Sequence, residues 1–330
     1  MRTQHPLRHR LLRQTVLCLA ALLPFASSAQ GAYPSKPISI LVGLQAGTGS
    51  DVGVRVLAER LSAALKQPIA VDNLPGAGGQ LAATKGIKAT PDGYYLVALS
   101  SATVTALPIL DPHVGFDPFK DLVPVAMVAT IPSVFFVRPD LPARSLKDFL
   151  ADAKAQPGRM TYASGGNGSA QHIGMEIFKA MNNIALVHIP YKGSGQATVD
   201  VAGGRVDSGI QGISTVLPYL KTGKLRALAA TGEARSTQLP ELPTVKELGL
   251  GDFVYEPWTA LFAPVGTPPD VVNALNAAVR KIASDPEFKA RFEVLGLGAQ
   301  DDTPQRLAAR MKADFTSTAA VVRERNIKAE

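Results

Sequence analysis

The chain has 330 residues, a formal charge of +7 and a single cysteine, Cys18. About 300 residues is enough for two domains of ordinary size. No Lys/Arg block interleaved with aromatics appears, so the charge is no argument for nucleic acid, and one thiol excludes an internal disulfide framework.

The N-terminus predicts export. Arg2, Arg8, Arg10 and Arg13 form a basic start without acids, an apolar run covers Thr15 to Leu23, and Phe25-Ala-Ser-Ser-Ala29 is rich in small residues. That order reads as a secretory signal peptide over residues 1–29, cut after Ala29, and so as a periplasmic protein. The run is too short for a membrane span, which takes about 20 residues. A lipid anchor at Cys18 is the rival reading. Cleavage would remove the only cysteine and four arginines, lowering the formal charge from +7 to +3.

The remaining sequence alternates apolar runs with amphipathic stretches, the pattern of an α/β fold with parallel strands. Ile38–Gly43 is a strand covered on both faces, and Asp51–Lys66 a helix with Val54, Leu57, Leu61 and Leu65 at helical spacing, capped by Ser50 or Asp51. Pro68–Asn73 and Tyr94–Ser100 complete a βαβαβ unit. A second series begins near residue 133. Ser145-Leu-Lys-Asp148 is a capping box opening a helix to about Ala155. Strands are expected at Met160–Ser164, Leu186–Tyr191, Val206–Gln211, Leu225–Thr231 and Val254–Pro264, with helices from Pro268 to Ala329.

Two loops carry the candidate chemistry. Gly47-Thr-Gly-Ser-Asp51 and Tyr162-Ala-Ser-Gly-Gly-Asn-Gly-Ser-Ala-Gln-His172 each join a strand to a helix through small residues. Such a junction lets a ligand reach unpaired N–H groups at a helix start, and it suits anions. Either loop alone could be an ordinary tight connection, but their matching positions favour a shared site. Gly47-x-Gly49-x-x-x-Gly53 misses the dinucleotide spacing, because Val52 stands where the third glycine belongs. Ser169 and His172 leave a secreted serine hydrolase as the alternative, although no acid is evidently placed to orient the histidine. His113, His172 and His188 show no metal-ligand spacing, so neither a metal nor a cofactor is expected. His188 and Trp258 read as core residues, and Arg55, Lys192 and Arg205 as solvated charges. With no Arg or Lys in either loop, neutral donors would hold a bound anion.

Several stretches together resemble a known family. They are Val71-Asp-Asn-Leu-Pro-Gly-Ala-Gly-Gly79, Ala89-Thr-Pro-Asp-Gly-Tyr94, Tyr162-Ala-Ser with Gly168-Ser169 and His172, His188-x-Pro190-Tyr-Lys-Gly193, Gly203-Gly-x-Val-Asp207, Gly223-Lys-Leu-Arg-Ala-Leu228, Leu242-Pro-Thr244 and Ala263-Pro-x-Gly266-Thr-Pro268. In order along the chain they resemble the Bug-type, TctC-like receptors of tripartite tricarboxylate transporters. The resemblance implies a two-lobed periplasmic-binding-protein fold of the Venus-flytrap kind, with strands crossing between lobes near Thr130–Phe135 and Glu256–Leu261. Lobe 1 would comprise 30–132 and 256–330, and lobe 2 133–255. It also implies a non-enzymatic monomer that captures a di- or tricarboxylate, amino acid or aromatic acid and delivers it to membrane subunits or a sensor. Transferred position by position, it places Gly47, Thr48, Ser50, Ser164, Gly165, Gly168 and Ser169 on the ligand, with Ser101 and Asp207 around the cleft. Two stretches depart from the family pattern: Ala46-Gly47-Thr48 replaces the usual Pro-Gly-Gly after Gly43-Leu-Gln45, and Thr103–Pro108 lacks a usual His and Asn. Both bear on the ligand rather than the fold.

Overall fold

A computed structural model describes residues 33–324. The expected signal peptide, its cleavage after Ala29 and the anchor alternative at Cys18 lie outside the described residues. From Lys36 on, the described residues form one compact unit holding two five-stranded sheets.

In chain order the first part contains β1 (Ile38–Val42), α1 (Gly49–Leu65), β2 (Ile69–Asn73), α2 (Gln80–Gly86), β3 (Tyr95–Ser100), the short helices α3 (Ser101–Thr105) and α4 (Leu107–Leu110), and β4 (Leu122–Thr130). The middle part contains β5 (Ser133–Val137), α5 (Leu146–Ala155), β6 (Thr161–Ser164), α6 (Ala170–Asn182), β7 (Val187–Pro190), α7 (Ser194–Ala202), β8 (Ser208–Gly212), α8 (Ile213–Lys221) and β9 (Arg226–Ala230). The chain then returns through β10 (Trp258–Pro264) to α9 (Pro269–Ser284), α10 (Pro286–Val294) and α11 (Pro304–Glu324).

The sheets are built alike. The first has the order β2-β1-β3-β10-β4, with β1 parallel to β2 and β3, and β10 antiparallel to β3 and β4. The second has the order β7-β6-β8-β5-β9, with β6 parallel to β7 and β8, and β5 antiparallel to β8 and β9. Thus β1 and β6 hold equivalent places, and so do the loops after their carboxyl ends. In open α/β sheets such ends face the ligand crevice.

Each sheet carries its own apolar core. Leu41, Val97, Leu99, Met127, Trp258 and Phe262 pack on the first, and Phe135, Phe149, Tyr162, Phe178, Ile210 and Phe253 on the second. Phe135 meets Phe149 edge-on with centroids 4.8 Å apart, a favoured aromatic geometry. Trp258 is fully buried, and its indole N–H donates to Asp314 Oδ2 at 2.7 Å, so it is a core residue and not a ligand platform. The Ser145 capping box closes as expected: Asp148 N–H donates to Ser145 Oγ, and Ser145 N–H to Asp148 Oδ2.

Two details correct the sequence reading. Thr48 caps α1 instead of Ser50 or Asp51, accepting the Asp51 N–H, so the helix begins at Gly49. Ser50 is buried inside the first turn, 2.6 Å from Thr259 Oγ1. The expected crossing near Thr130–Phe135 is two strands, not one: β4 ends at Thr130, Ile131 and Pro132 bridge, and β5 starts at Ser133. Ile131 N–H donates to Pro257 O at 2.7 Å, so the outgoing and returning connections run side by side.

Candidate ligand-binding site

A cavity of about 660 Å³ lies between the two sheets' loop ends. Its wall includes Gly43–Gln45 and Thr48–Ser50 after β1, the glycine-rich Pro75–Gly79 loop, and Ser100. From the second sheet come Gly165–Asn167, Ser169–Gln171, Pro190–Ser194, Gln211 and Gly212, and Ser214 and Thr215. The connectors Ile131 and Pro257 close it beside the crossing.

Four helices begin on this wall: α1 at Gly49, α6 at Ala170, α7 at Ser194 and α8 at Ile213. Each helix start carries roughly half a positive charge in its unpaired N–H groups. Ser169 caps α6 by accepting the His172 N–H, the same role that Thr48 has on α1. The two loops therefore share a construction: a strand end, positive-φ glycines, a hydroxyl cap and a helix. Gly47 (φ 79°) and Gly168 (φ 72°) supply the left-handed turns that L side chains rarely adopt.

The sequence candidates divide. Thr48, Ser50, Gly165 and Ser169 are on the cavity wall. Gly47, Ser164 and Gly168 shape the loops behind it. Gly47 N–H donates to Asp51 Oδ2 at 2.9 Å and Gly168 N–H to His172 Nδ1 at 3.2 Å. Ser164 is fully buried, with its Oγ 2.6 Å from His188 Nε2 and accepting the Gly166 N–H at 3.1 Å. Ser101 faces a different cavity of about 340 Å³, lined also by Ile173, Tyr255, Glu256, Arg310 and Asp314.

Asp207 is away from the cleft altogether. Its carboxylate takes Arg138 Nε at 2.8 Å, Thr161 N–H at 2.8 Å and Thr161 Oγ1 at 2.9 Å. Thr161 opens β6, whereas the cleft loop follows the other end of that strand. Asp207 thus pins the start of β6, one strand length from the cavity.

The charges expected to be solvated keep access to solvent. Lys192 is exposed, and its residue also lines the cavity, because β7 neighbours β6 and its following loop reaches the same crevice. Arg205 is exposed and pairs with Asp200 at 2.8 Å, as a surface charge. Arg55 braces the first loop from behind, pairing with Asp51 at 3.0 Å and donating to Asn73 Oδ1 at 2.7 Å. Burial pushes the Asp51 carboxyl up, but Arg55, the Gly47 N–H and the Asn73 amide together hold it below the usual carboxylate value. It stays ionised under the loop, neutralised by Arg55.

The Ser169–His172 pair is not arranged for hydrolysis. His172 Nδ1 accepts the Gly168 N–H, and its ring stacks with His188 at 4.2 Å, while Tyr162 stacks with His188 at 4.8 Å and lies 6.5 Å from His172. Burial lowers the His172 pKa, so the ring is held neutral within this stack. Ser164 does meet a histidine, but it is sealed from the cavity. Among the described residues, no group of three or more His, Cys, Asp or Glu could hold a metal ion. None of their helices is long and apolar enough to cross a membrane.

The family model of the tripartite tricarboxylate transporter receptor, TctC, matches residues 54–327. The chain belongs to this receptor family. BugT of Bordetella pertussis is 36% identical over 320 residues, covering 97% of this chain and 98% of BugT. A structure described as a periplasmic transporter matches at 35% identity and a TM-score of 0.84, covering 91% of this chain and all of that one. MatC of Rhodopseudomonas palustris, solved with bound malate, matches at 29% identity and a TM-score of 0.81, covering 88% and 100%. An R. palustris protein solved with adipate matches at 29% identity and a TM-score of 0.83, covering 88% and 97%. BugD, described as a periplasmic binding protein, matches at 30% identity and a TM-score of 0.81, covering 90% of this chain and all of BugD, and a Polaromonas relative is described as a TctC solute binding protein. The two-lobed fold of this chain is theirs.

The sequence alone does not mark Gln45, Tyr191–Ser194, Gln211, Gly212, Ser214 and Thr215 as wall residues. The first lay inside a loop already singled out. The others follow β7 and β8, and they reach the cleft only because those strands flank β6 in the sheet.

Proposed function

We propose that the chain is an exported receptor that captures a small carboxylate in the 660 Å³ cavity and releases it to a membrane transporter or sensor, without chemical turnover. The cavity is of the size usual for small-molecule sites. The observation that carries the reading is the convergence of four helix N-termini, with the caps Thr48 and Ser169, on one cavity. Oriented N–H groups stabilise an anion without a fixed counter-charge. A ligand with more than one carboxylate can meet helix starts of both sheets at once. Two similar proteins hold such ligands, malate and adipate, in their solved structures.

Titration calorimetry of the purified protein with malate, adipate and a wider panel of acids, beside neutral sugars, tests the proposal. Saturable binding of one or more acids and none of the sugars is the expected result. Binding of sugars alone would refute the ligand class, and Ser169-dependent ester hydrolysis would refute the receptor reading.

A further inference from the structure

We propose that Gln45 is a clasp that holds the two lobes closed over the ligand, with Gly193 as its receiving notch. Gln45 follows β1 of the first sheet, and Lys192 and Gly193 follow β7 of the second. Across the cleft, Gln45 Nε2 donates to Lys192 O at 2.8 Å, joining residues 147 positions apart. Both sides of this bond are on the cavity wall, so the clasp sits at the ligand chamber.

Gly193 supports the assignment independently. Its φ of 171° is extended backbone that any residue adopts, so local conformation does not require glycine here. A Cβ at this position would overlap Gln45 Oε1 and lie only 2.7 Å from Gln45 Cδ and 2.9 Å from Nε2. All three of its nearest neighbours belong to Gln45. A side chain at 193 would therefore push the Gln45 amide off its place against the other lobe, while leaving the backbone unstrained. A second bond between the lobes, Gln238 Nε2 to Val294 O at 2.9 Å, lies nearer the connection, where Gly298 pairs with Thr130. Gln45 is the counterpart at the ligand chamber.

The clasp bonds a backbone carbonyl of the opposite lobe, and that bond exists only when the lobes are together. Its contribution therefore belongs to the closed state and is the same for every ligand that permits closure. Removing it should speed release and leave discrimination between ligands unchanged. A ligand-contacting residue would instead change affinities unequally.

This inference rests on the receptor reading, and its test has one arm that needs no ligand. In the full chain with Cys18→Ser, which removes the single cysteine, spin labels at Lys88→Cys and Lys154→Cys report the distance between lobes. Both positions are exposed, one in each lobe. Gln45→Ala should shift the distance distribution toward longer separations without ligand. For malate and adipate, dissociation rates should rise about three- to tenfold, the range for one hydrogen bond, by the same factor for each acid that binds. Gly193→Ala should match Gln45→Ala, and the double variant should be no worse than either single one. Gln45 is exposed in a loop, so unchanged melting of Gln45→Ala is the check on folding. Failure of every acid to bind would sink the carboxylate reading, while the distance measurement would still decide the clasp. An unchanged distance distribution, or additive losses in the double variant, would overturn it.

Discussion

Ser169→Ala separates two roles that one hydroxyl plays. Ser169 Oγ accepts the His172 N–H at 3.3 Å as the cap of α6, and the residue also lines the cavity. Losing a serine cap costs about 1 kcal/mol of stability. Losing a hydrogen bond to a charged acceptor costs about 1.5–3 kcal/mol. The cap is present with or without ligand, so its loss cancels from the binding constant and appears only in melting. The donor's loss appears only in binding. Because about 1.4 kcal/mol is tenfold, affinity for the bound acid should fall roughly 10- to 150-fold. The ligand-free protein should melt only about 1–2 °C lower. Calorimetric titration and scanning calorimetry on one preparation measure both. Arg205→Gln is the matched control, since its side chain is 70% exposed and its guanidinium pairs with Asp200. Affinity within about threefold of wild type for Ser169→Ala, beside a severe loss for Arg205→Gln, would refute the assignment of the anion to the helix starts.

Other outcomes follow from the same geometry. Asp207→Ala should lower stability by about 2–3 kcal/mol, because Arg138 and Thr161 lose a charged partner, yet leave ligand affinity unchanged; denaturant titration and calorimetry check it. His172 titrates below its usual value because of burial, with Glu176 and Lys179 exerting opposing smaller effects and the Tyr162–His188 stack packed against it. The unfolded chain then takes up a proton that the folded chain resists, so stability present above about pH 6.5 should fall as the pH drops below it. In urea titrations at pH 7.5 and 5.5, His172→Gln should show a smaller loss than wild type; an equal loss would place the titration elsewhere. Saturating ligand should reduce or preserve the radius of gyration in small-angle scattering, and an increase would contradict closure of the two lobes on the ligand.

Most strands were legible because burial on both faces leaves an apolar run of the right length. Ile38–Val42, Tyr95–Ser100 and Arg226–Ala230 fall within two residues of their expected limits. No strand was assigned to Leu122–Thr130, and the reason is physical. Pro124 interrupts the run, and a proline argues against a central strand. In the sheet, β4 is the edge strand, and Pro124 sits opposite Phe262 beside a shift in register. The edge position and the irregularity accommodate it, and neither can be seen before the strand order is known.

The site was legible only as far as local grammar reaches. A strand end, a glycine turn and a helix cap are consecutive in sequence, so the loops holding Thr48 and Ser169 announce themselves. Lys192 and Gln211 reach the cleft because β7 and β8 flank β6, a relation among residues tens of positions apart. Asp207 fails for the complementary reason. It pairs with the first residue of β6, and a parallel strand separates that end from the ligand by its full length. Strand direction, not proximity to a motif, decides which residues share the crevice. The same rule exposes Gln45: within a loop already marked as a ligand loop, its side chain turns outward to a carbonyl of the other lobe, and only the pairing with Gly193 reveals it.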